Sequence, residues 1–124
     1  MLELSKMSSY ESRSISAENF NGEKGKGGMA EEGTGKECAR NLGKGWKVSP
    51  SVIIESGQVF EMAKIEGSGI IKHIWVTDYC PENRMLILRI YWDDSDTPSV
   101  EVPLCDFFAS ADYQEYAQLT SLPV

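Results

Sequence analysis

Alternation of apolar and polar residues in the second half of the sequence is the feature that most restricts the fold. A period of two residues is typical of a β-strand, and no helical stripe fits these stretches. It predicts strands over residues 51–55, 58–65, 70–77, 85–92 and 99–104. In the last two, one face is expected to carry Leu86, Leu88, Ile90 and Trp92, then Val100, Val102 and Leu104, opposite Met85, Ile87, Arg89, Tyr91 and Glu101.

Turn residues separate these predicted strands, as in antiparallel sheets. They are Ser56-Gly57, Gly67-Ser68-Gly69, Pro81-Glu82-Asn83 and Asp93-Asp94-Ser95-Asp96. Short strands at this spacing predict an all-β antiparallel sandwich or barrel. A single helical turn is expected within residues 105–109, and residues 112–119 stay ambiguous.

The first half of the chain has a different character, because eight of the 11 glycines fall between Gly22 and Gly45. This stretch has few apolar residues and no periodicity, so it predicts a long loop or a series of turns. Long loops are uncommon in compact domains unless they bind something or pack on a partner. The sequence therefore divides into a polar, glycine-rich segment (1–50) and a β-sandwich (51–124), which together form one functional domain.

Charge disfavours several classes of function. Twelve basic residues stand against 19 acidic ones, a net charge of -7. Non-specific nucleic-acid binding and attachment to anionic membranes both require a basic surface. No apolar run has the length of a transmembrane helix, and residues 1–6 lack the apolar core of a signal peptide. We expect a cytoplasmic protein without nucleic-acid or membrane partners.

Metal and nucleophile chemistry also find little support. Cys38, Cys80 and Cys105 have no zinc-ligand spacing, and His73 is the one histidine, predicted to be half-buried in a strand. The Gly-Lys pairs of the first half lack the Ser or Thr of a phosphate-binding P-loop. The three aspartates of residues 93–96 favour a hairpin turn over a cation site. We expect no metal and no cofactor.

Aromatic residues are the remaining candidates for ligand contacts. Trp46, Trp75 and Trp92, with Tyr91, have the ring surfaces that stack on sugars. Aromatic residues in strands equally pack in the sheet, and this alternative stays open.

Three stretches resemble a known family. They are residues 12–28 (Ser-Arg-Ser-Ile-Ser-Ala-Glu-Asn-Phe-Asn-Gly-Glu-Lys-Gly-Lys-Gly-Gly), residues 67–75 (Gly-Ser-Gly-Ile-Ile-Lys-His-Ile-Trp) and residues 88–108, with Thr-Pro-Ser-Val-Glu-Val-Pro-Leu at 97–104 and Asp-Phe-Phe at 106–108. Together they resemble the N-terminal part of domain-of-unknown-function family 2961, now glycoside hydrolase family 172.

This resemblance implies a double jelly roll that assembles as trimers, or multiples of trimers, and acts on furanosides containing fructose or arabinose. The resemblance also implies hydrolysis with retention of the anomeric configuration, which requires two carboxyl groups about 5–5.5 Å apart. The family's catalytic glutamates are expected beyond Val124, so none is placed on this chain. On that expectation the chain is an incomplete first jelly roll, inactive in isolation.

The most polar stretch of the resemblance supplies Arg13, Glu18 and Asn19 as candidates for substrate binding or for a subunit interface. Two alternatives to a hydrolase remain: a self-assembling structural module, and a small carbohydrate-binding module using Trp46, Trp75 or Trp92.

Overall fold

The structure is a computed structural model that describes residues 9–78 and 83–109. Most of the described residues belong to neither helix nor strand. The regular elements are helix α1 (Lys36–Ala39), a 3₁₀ helix (Asn83–Met85), strand β1 (Ile87–Ile90), strand β2 (Val100–Pro103) and helix α2 (Leu104–Phe107). Each described helix is only about one turn long, far too short to cross a membrane.

The chain divides into two compact units between Gly69 and Ile70. The first contains the glycine-rich segment and the second contains β1, β2 and α2. The division predicted between residues 50 and 51 stays a prediction. Cys80, the turn at Pro81-Glu82 and residues 112–119 lie outside the described residues.

Strands β1 and β2 form a two-stranded antiparallel sheet, with Ile87 opposite Pro103 and Ile90 opposite Val100. Leu88 and Ile90 of β1 share the half-buried face, as do Val100 and Val102, which were predicted to point inward. Arg89 and Glu101 lie on the exposed face. These two are register partners, and the Arg89 Nε donates to Glu101 Oε2 at 2.6 Å. The sequence pattern therefore predicted the two faces of this hairpin correctly.

The turn predicted at the aspartates lies in the loop of this hairpin. The Ser95 N–H donates to the Trp92 carbonyl at 3.1 Å, and Asp93 and Asp94 have φ values of 54° and 55°. Positive φ at both central residues is characteristic of a type I′ turn.

Helix α2 follows β2 without a break. The Leu104 N–H donates to the Leu86 carbonyl at 2.8 Å, and Arg84 donates to Asp106 Oδ1 at 2.7 Å, so the 3₁₀ helix and α2 are tied together. Helix α2 is the single turn predicted for residues 105–109, and it begins one residue earlier.

The strands predicted over residues 51–55, 58–65 and 70–77 are absent from the described structure, where these stretches are irregular. The turn predicted at Ser56-Gly57 does form: Gly57 has a φ of 77° and the Gln58 N–H donates to the Glu55 carbonyl at 2.9 Å. An alternating pattern predicts which side chains share a face, but a strand also needs a neighbour for its backbone hydrogen bonds. The two paired strands among the described residues agree with an antiparallel β fold, and the incomplete jelly-roll sandwich stays a prediction.

In the first unit, residues 33–35 lie against residues 47–50. The Gly35 N–H donates to the Val48 carbonyl at 2.8 Å, and a Cβ atom at Gly33 would lie 2.4 Å from the Ser49 Cβ. Only a residue without a side chain permits this approach. Val48, in the second of these stretches, is 7% exposed. The two ends of residues 33–50 therefore lie in contact, and helix α1 belongs to the loop between them.

The strained turn gives a stability prediction. Asp94→Gly should raise the free energy of unfolding by about 0.5–1 kcal/mol, because glycine removes most of a left-handed penalty of roughly 1–2 kcal/mol and adds a smaller unfolded-state entropy. Urea unfolding followed by tryptophan fluorescence measures it. Asp96→Gly is the control, since Asp96 does not have a positive φ. Equal stabilisation by both substitutions would contradict the turn assignment.

Candidate functional site

The polar block at residues 12–19 forms a tight loop at the start of the described chain. The Asn19 N–H donates to the Ser16 carbonyl at 2.8 Å, and the Ser16 N–H donates back to the Asn19 carbonyl at 3.2 Å. The Ser16 hydroxyl also accepts the Glu18 N–H at 3.2 Å. A serine that caps its own turn in this way favours a fixed loop over a helix or strand.

Asn19 is the centre of this loop. Its side chain is 9% exposed, its Nδ2 donates to the Ser14 and Glu23 carbonyls at 3.3 and 3.0 Å, and its Oδ1 accepts the Glu23 N–H at 3.2 Å. A buried amide must have its hydrogen-bonding groups satisfied, and here the backbone satisfies them. The Asn19 amide therefore shapes the loop that leads into the glycine-rich turns.

Glu18 joins three separate stretches of backbone. Its Oε1 accepts the Ser49 N–H at 2.5 Å and its Oε2 accepts the Ala30 N–H at 3.3 Å. A carboxylate that accepts backbone N–H groups makes charge-assisted hydrogen bonds, which are stronger than neutral ones. Both oxygens are engaged, so in this structure Glu18 holds the unit together and does not present a free carboxylate.

Two glycine turns follow this loop. The Lys26 N–H donates to the Glu23 carbonyl at 3.2 Å and the Met29 N–H donates to the Lys26 carbonyl at 3.3 Å, with φ values of 76° at Gly25 and 70° at Gly28. A glycine with positive φ at the third position is typical of type II turns.

These turns and the polar block border a small cavity of about 140 Å³ that is open to solvent. Its lining is mostly polar or glycine: Ser12, Arg13, Ser14, Asn19, Gly22, Glu23, Lys24, Gly25 and Gly27. The cavity brings together two of the predicted candidates, Arg13 and Asn19. Glu18 is not among the lining residues.

Charges at this cavity are paired through one carboxylate. Arg13 Nη2 donates to Glu11 Oε2 and Lys24 Nζ donates to Glu11 Oε1, both at 2.9 Å. Sequence reasoning missed Glu11, Glu23 and Lys24. The Glu-x-Arg spacing at residues 11–13 and the Glu-Lys pair inside the glycine run are the signals that could have identified them.

The three candidate tryptophans are all exposed: Trp46 at 55%, Trp75 at 71% and Trp92 at 50%. The alternative that they pack in a sheet core is wrong for the described structure, because no neighbouring strand covers them. Trp46 belongs to the first unit, whereas Trp75 and Trp92 belong to the second. Tyr91 is exposed as well.

His73 is also exposed, so its predicted half-burial is wrong. It lies in the stretch 70–77, which has no strand partner to cover it. Within residues 9–78 and 83–109, no group of three or more His, Cys, Asp or Glu side chains is placed to hold a metal ion.

The two described cysteines differ in accessibility. Cys38 is exposed, whereas Cys105 is buried in α2 and its thiol donates to Asp106 Oδ1 at 3.4 Å. Burial, followed by this hydrogen bond to a carboxylate, raises the pKa of the Cys105 thiol above its usual value. A raised pKa lowers the thiolate fraction at neutral pH, which favours a structural role.

Comparison with protein families identifies the class as a glycoside hydrolase-related domain. The matching family model is described as GH172 domain-like and covers residues 46–123, more than half of the chain. The chain therefore belongs to the GH172 domain-like family. Comparison with curated proteins gives no match.

Removal of the Glu18 carboxylate should destabilise the first unit. Glu18→Ala leaves the Ser49 and Ala30 N–H groups without their acceptor, at a cost of about 1–3 kcal/mol. Amide hydrogen exchange should accelerate at both residues. Glu32→Ala is the control, because Glu32 makes an exposed ion pair with Lys36. Unchanged exchange at Ser49 would contradict the role assigned to Glu18.

The cysteines give a chemical prediction. Iodoacetamide at neutral pH should modify Cys38 much faster than Cys105, because the Cys105 thiol is buried and has a raised pKa. Peptide mapping by mass spectrometry measures the two rates. Asp106→Asn should bring the modification rate at Cys105 closer to that at Cys38. Equal rates at the two cysteines in the chain without substitutions would contradict the burial of Cys105.

Proposed function

We propose that this chain belongs to a glycoside hydrolase that acts on furanosides, in glycans containing fructose or arabinose, with retention of configuration. The observation that carries the proposal is the family match over residues 46–123. The surrounding protein is cytoplasmic, needs no cofactor or metal, and has a jelly-roll architecture.

Exposed aromatic rings support a sugar ligand. Trp46, Trp75 and Trp92 all lie within the matched residues, and each is at least half exposed. An indole ring combines a large apolar face with a polar N–H, which suits the mixed surface of a sugar. We assign these rings to substrate contact.

The catalytic step itself is not assigned to residues of this chain. A retaining hydrolase needs a free nucleophilic carboxylate and a second carboxyl group that donates a proton. Glu18 accepts two backbone N–H groups, and Glu101 is paired with Arg89. Neither carboxylate is free in this arrangement, and the family resemblance places no catalytic glutamate on these residues. We therefore expect the 124-residue chain to bind furanosides without hydrolysing them.

Binding and hydrolysis can be measured separately. Aryl α-D-fructofuranosides and α-D-arabinofuranosides should release no aryl alcohol with this chain. Titration calorimetry with fructo- and arabino-oligosaccharides should detect binding, and Trp75→Ala or Trp92→Ala should weaken it about 2- to 10-fold through lost ring contacts. Tyr10→Ala is the control, because Tyr10 is exposed but outside the matched residues. Absence of binding to both sugar series would refute the proposal for this chain.

A second candidate, self-assembly into trimers, is favoured by the outer edges of β1 and β2, which pair with no other strand among residues 9–78 and 83–109. Exposed large apolar side chains such as Ile53, Val59 and Ile70 favour it as well. Unpaired strand edges are sites of association. Size-exclusion chromatography with light scattering should give a mass of three chains, and a single-chain mass at all concentrations would exclude it.

A further inference from the structure

The cavity of the first unit lies entirely outside the family match, since its lining runs from Ser12 to Gly27 and the match begins at residue 46. Its volume of about 140 Å³ corresponds to roughly five water molecules. It therefore has room for one small polar molecule.

Two cationic side chains, Arg13 and Lys24, line this cavity, and both bind the same carboxylate. Glu11 places one carboxylate oxygen on Arg13 and the other on Lys24, both at 2.9 Å, although Glu11 itself is not a lining residue. About half of the Glu11 side chain is exposed, so it can leave this position for solvent. A ligand carboxylate has the same pair of oxygens and can replace it.

Further donors at the cavity have no partner among the described residues. The backbone N–H groups of Gly25 and Gly27 and the hydroxyls of Ser12 and Ser14 make no hydrogen bond there, and Arg13 uses one of its five N–H donors. Side chains added at Gly25 or Gly27 would meet no atom within 4 Å, so the space beside them is open.

Glu23 disfavours ligands that carry more than one negative charge. It lines the cavity, so its negative charge opposes a ligand with two charges, such as a phosphate dianion. The same carboxylate accepts hydrogen bonds from hydroxyl groups. A ligand with one negative charge and several hydroxyl groups therefore fits the two cations and Glu23 best.

We propose that this cavity binds a small hydroxycarboxylate, such as a short sugar acid, with the ligand carboxylate displacing Glu11 from Arg13 and Lys24. The ligand hydroxyls then face Glu23, Ser12 and Ser14. This site goes beyond the furanoside function and does not depend on it.

Glu11→Gln gives the sharpest test, because the proposal requires this substitution to strengthen binding. D-Glycerate is titrated into the ¹⁵N-labelled chain at low salt, and amide shifts are followed at Ser14, Gly25 and Gly27. Glu11→Gln removes the internal competitor and should tighten binding about 2- to 5-fold, since exposed ion pairs are weak. Glu32→Gln, which breaks an ion pair outside the cavity, should leave the affinity unchanged.

Arg13→Ala should weaken glycerate binding on the order of 10-fold, because a charge-assisted hydrogen-bonding partner is lost. Inorganic phosphate, titrated in parallel at pH 8, should bind more weakly than glycerate. The proposal is overturned if glycerate shifts no amide in the native and Glu11→Gln chains, if Glu11→Gln behaves like Glu32→Gln, or if phosphate binds more tightly.

Discussion

The carboxylate of Glu18 is the contact on which the first unit most depends. It accepts the N–H groups of Ala30 and Ser49, residues 12 and 31 positions further along the chain. Two hydrogen bonds to a charged group contribute about 1.5–3 kcal/mol each, which is comparable to the burial of one aliphatic side chain. Among the described residues, Val48 is the one buried apolar residue of this unit. Polar contacts to the backbone therefore order this segment at least as much as apolar packing does.

Glycine makes such a polar scaffold possible. Gly33 allows contact with Ser49 at a distance that no side chain permits, next to the N–H that Glu18 accepts. Gly25 and Gly28 close successive turns with positive φ. The run of glycines therefore allows close backbone packing here, and the resulting loop borders a cavity lined by glycines and by polar and charged residues.

The sequence predicted the hairpin correctly, whereas the strands predicted before it are absent from the described structure. In residues 85–104 the alternation predicted the faces, and the aspartates predicted the turn, because both are local properties of the chain. Residues 51–77 show the same local pattern, yet the described structure gives them no ladder. Partner strands are a property of the whole fold and are not encoded in a window of eight residues. The role of Glu18 escaped prediction for the same reason, since its partners lie 12 and 31 residues away.

The aromatic groups and the polar groups that we propose as binding sites lie in different parts of this chain. The three exposed tryptophans fall within the family match, whereas the cavity with Arg13, Asn19 and Lys24 lies before it. Stacking on a ring depends little on ionic strength, but a site built from two exposed cations loses affinity as salt screens them. Salt dependence thus separates the two kinds of binding without any substitution. A sugar bound by the tryptophans should resist salt, and a ligand that loses affinity steeply with salt belongs to the cavity.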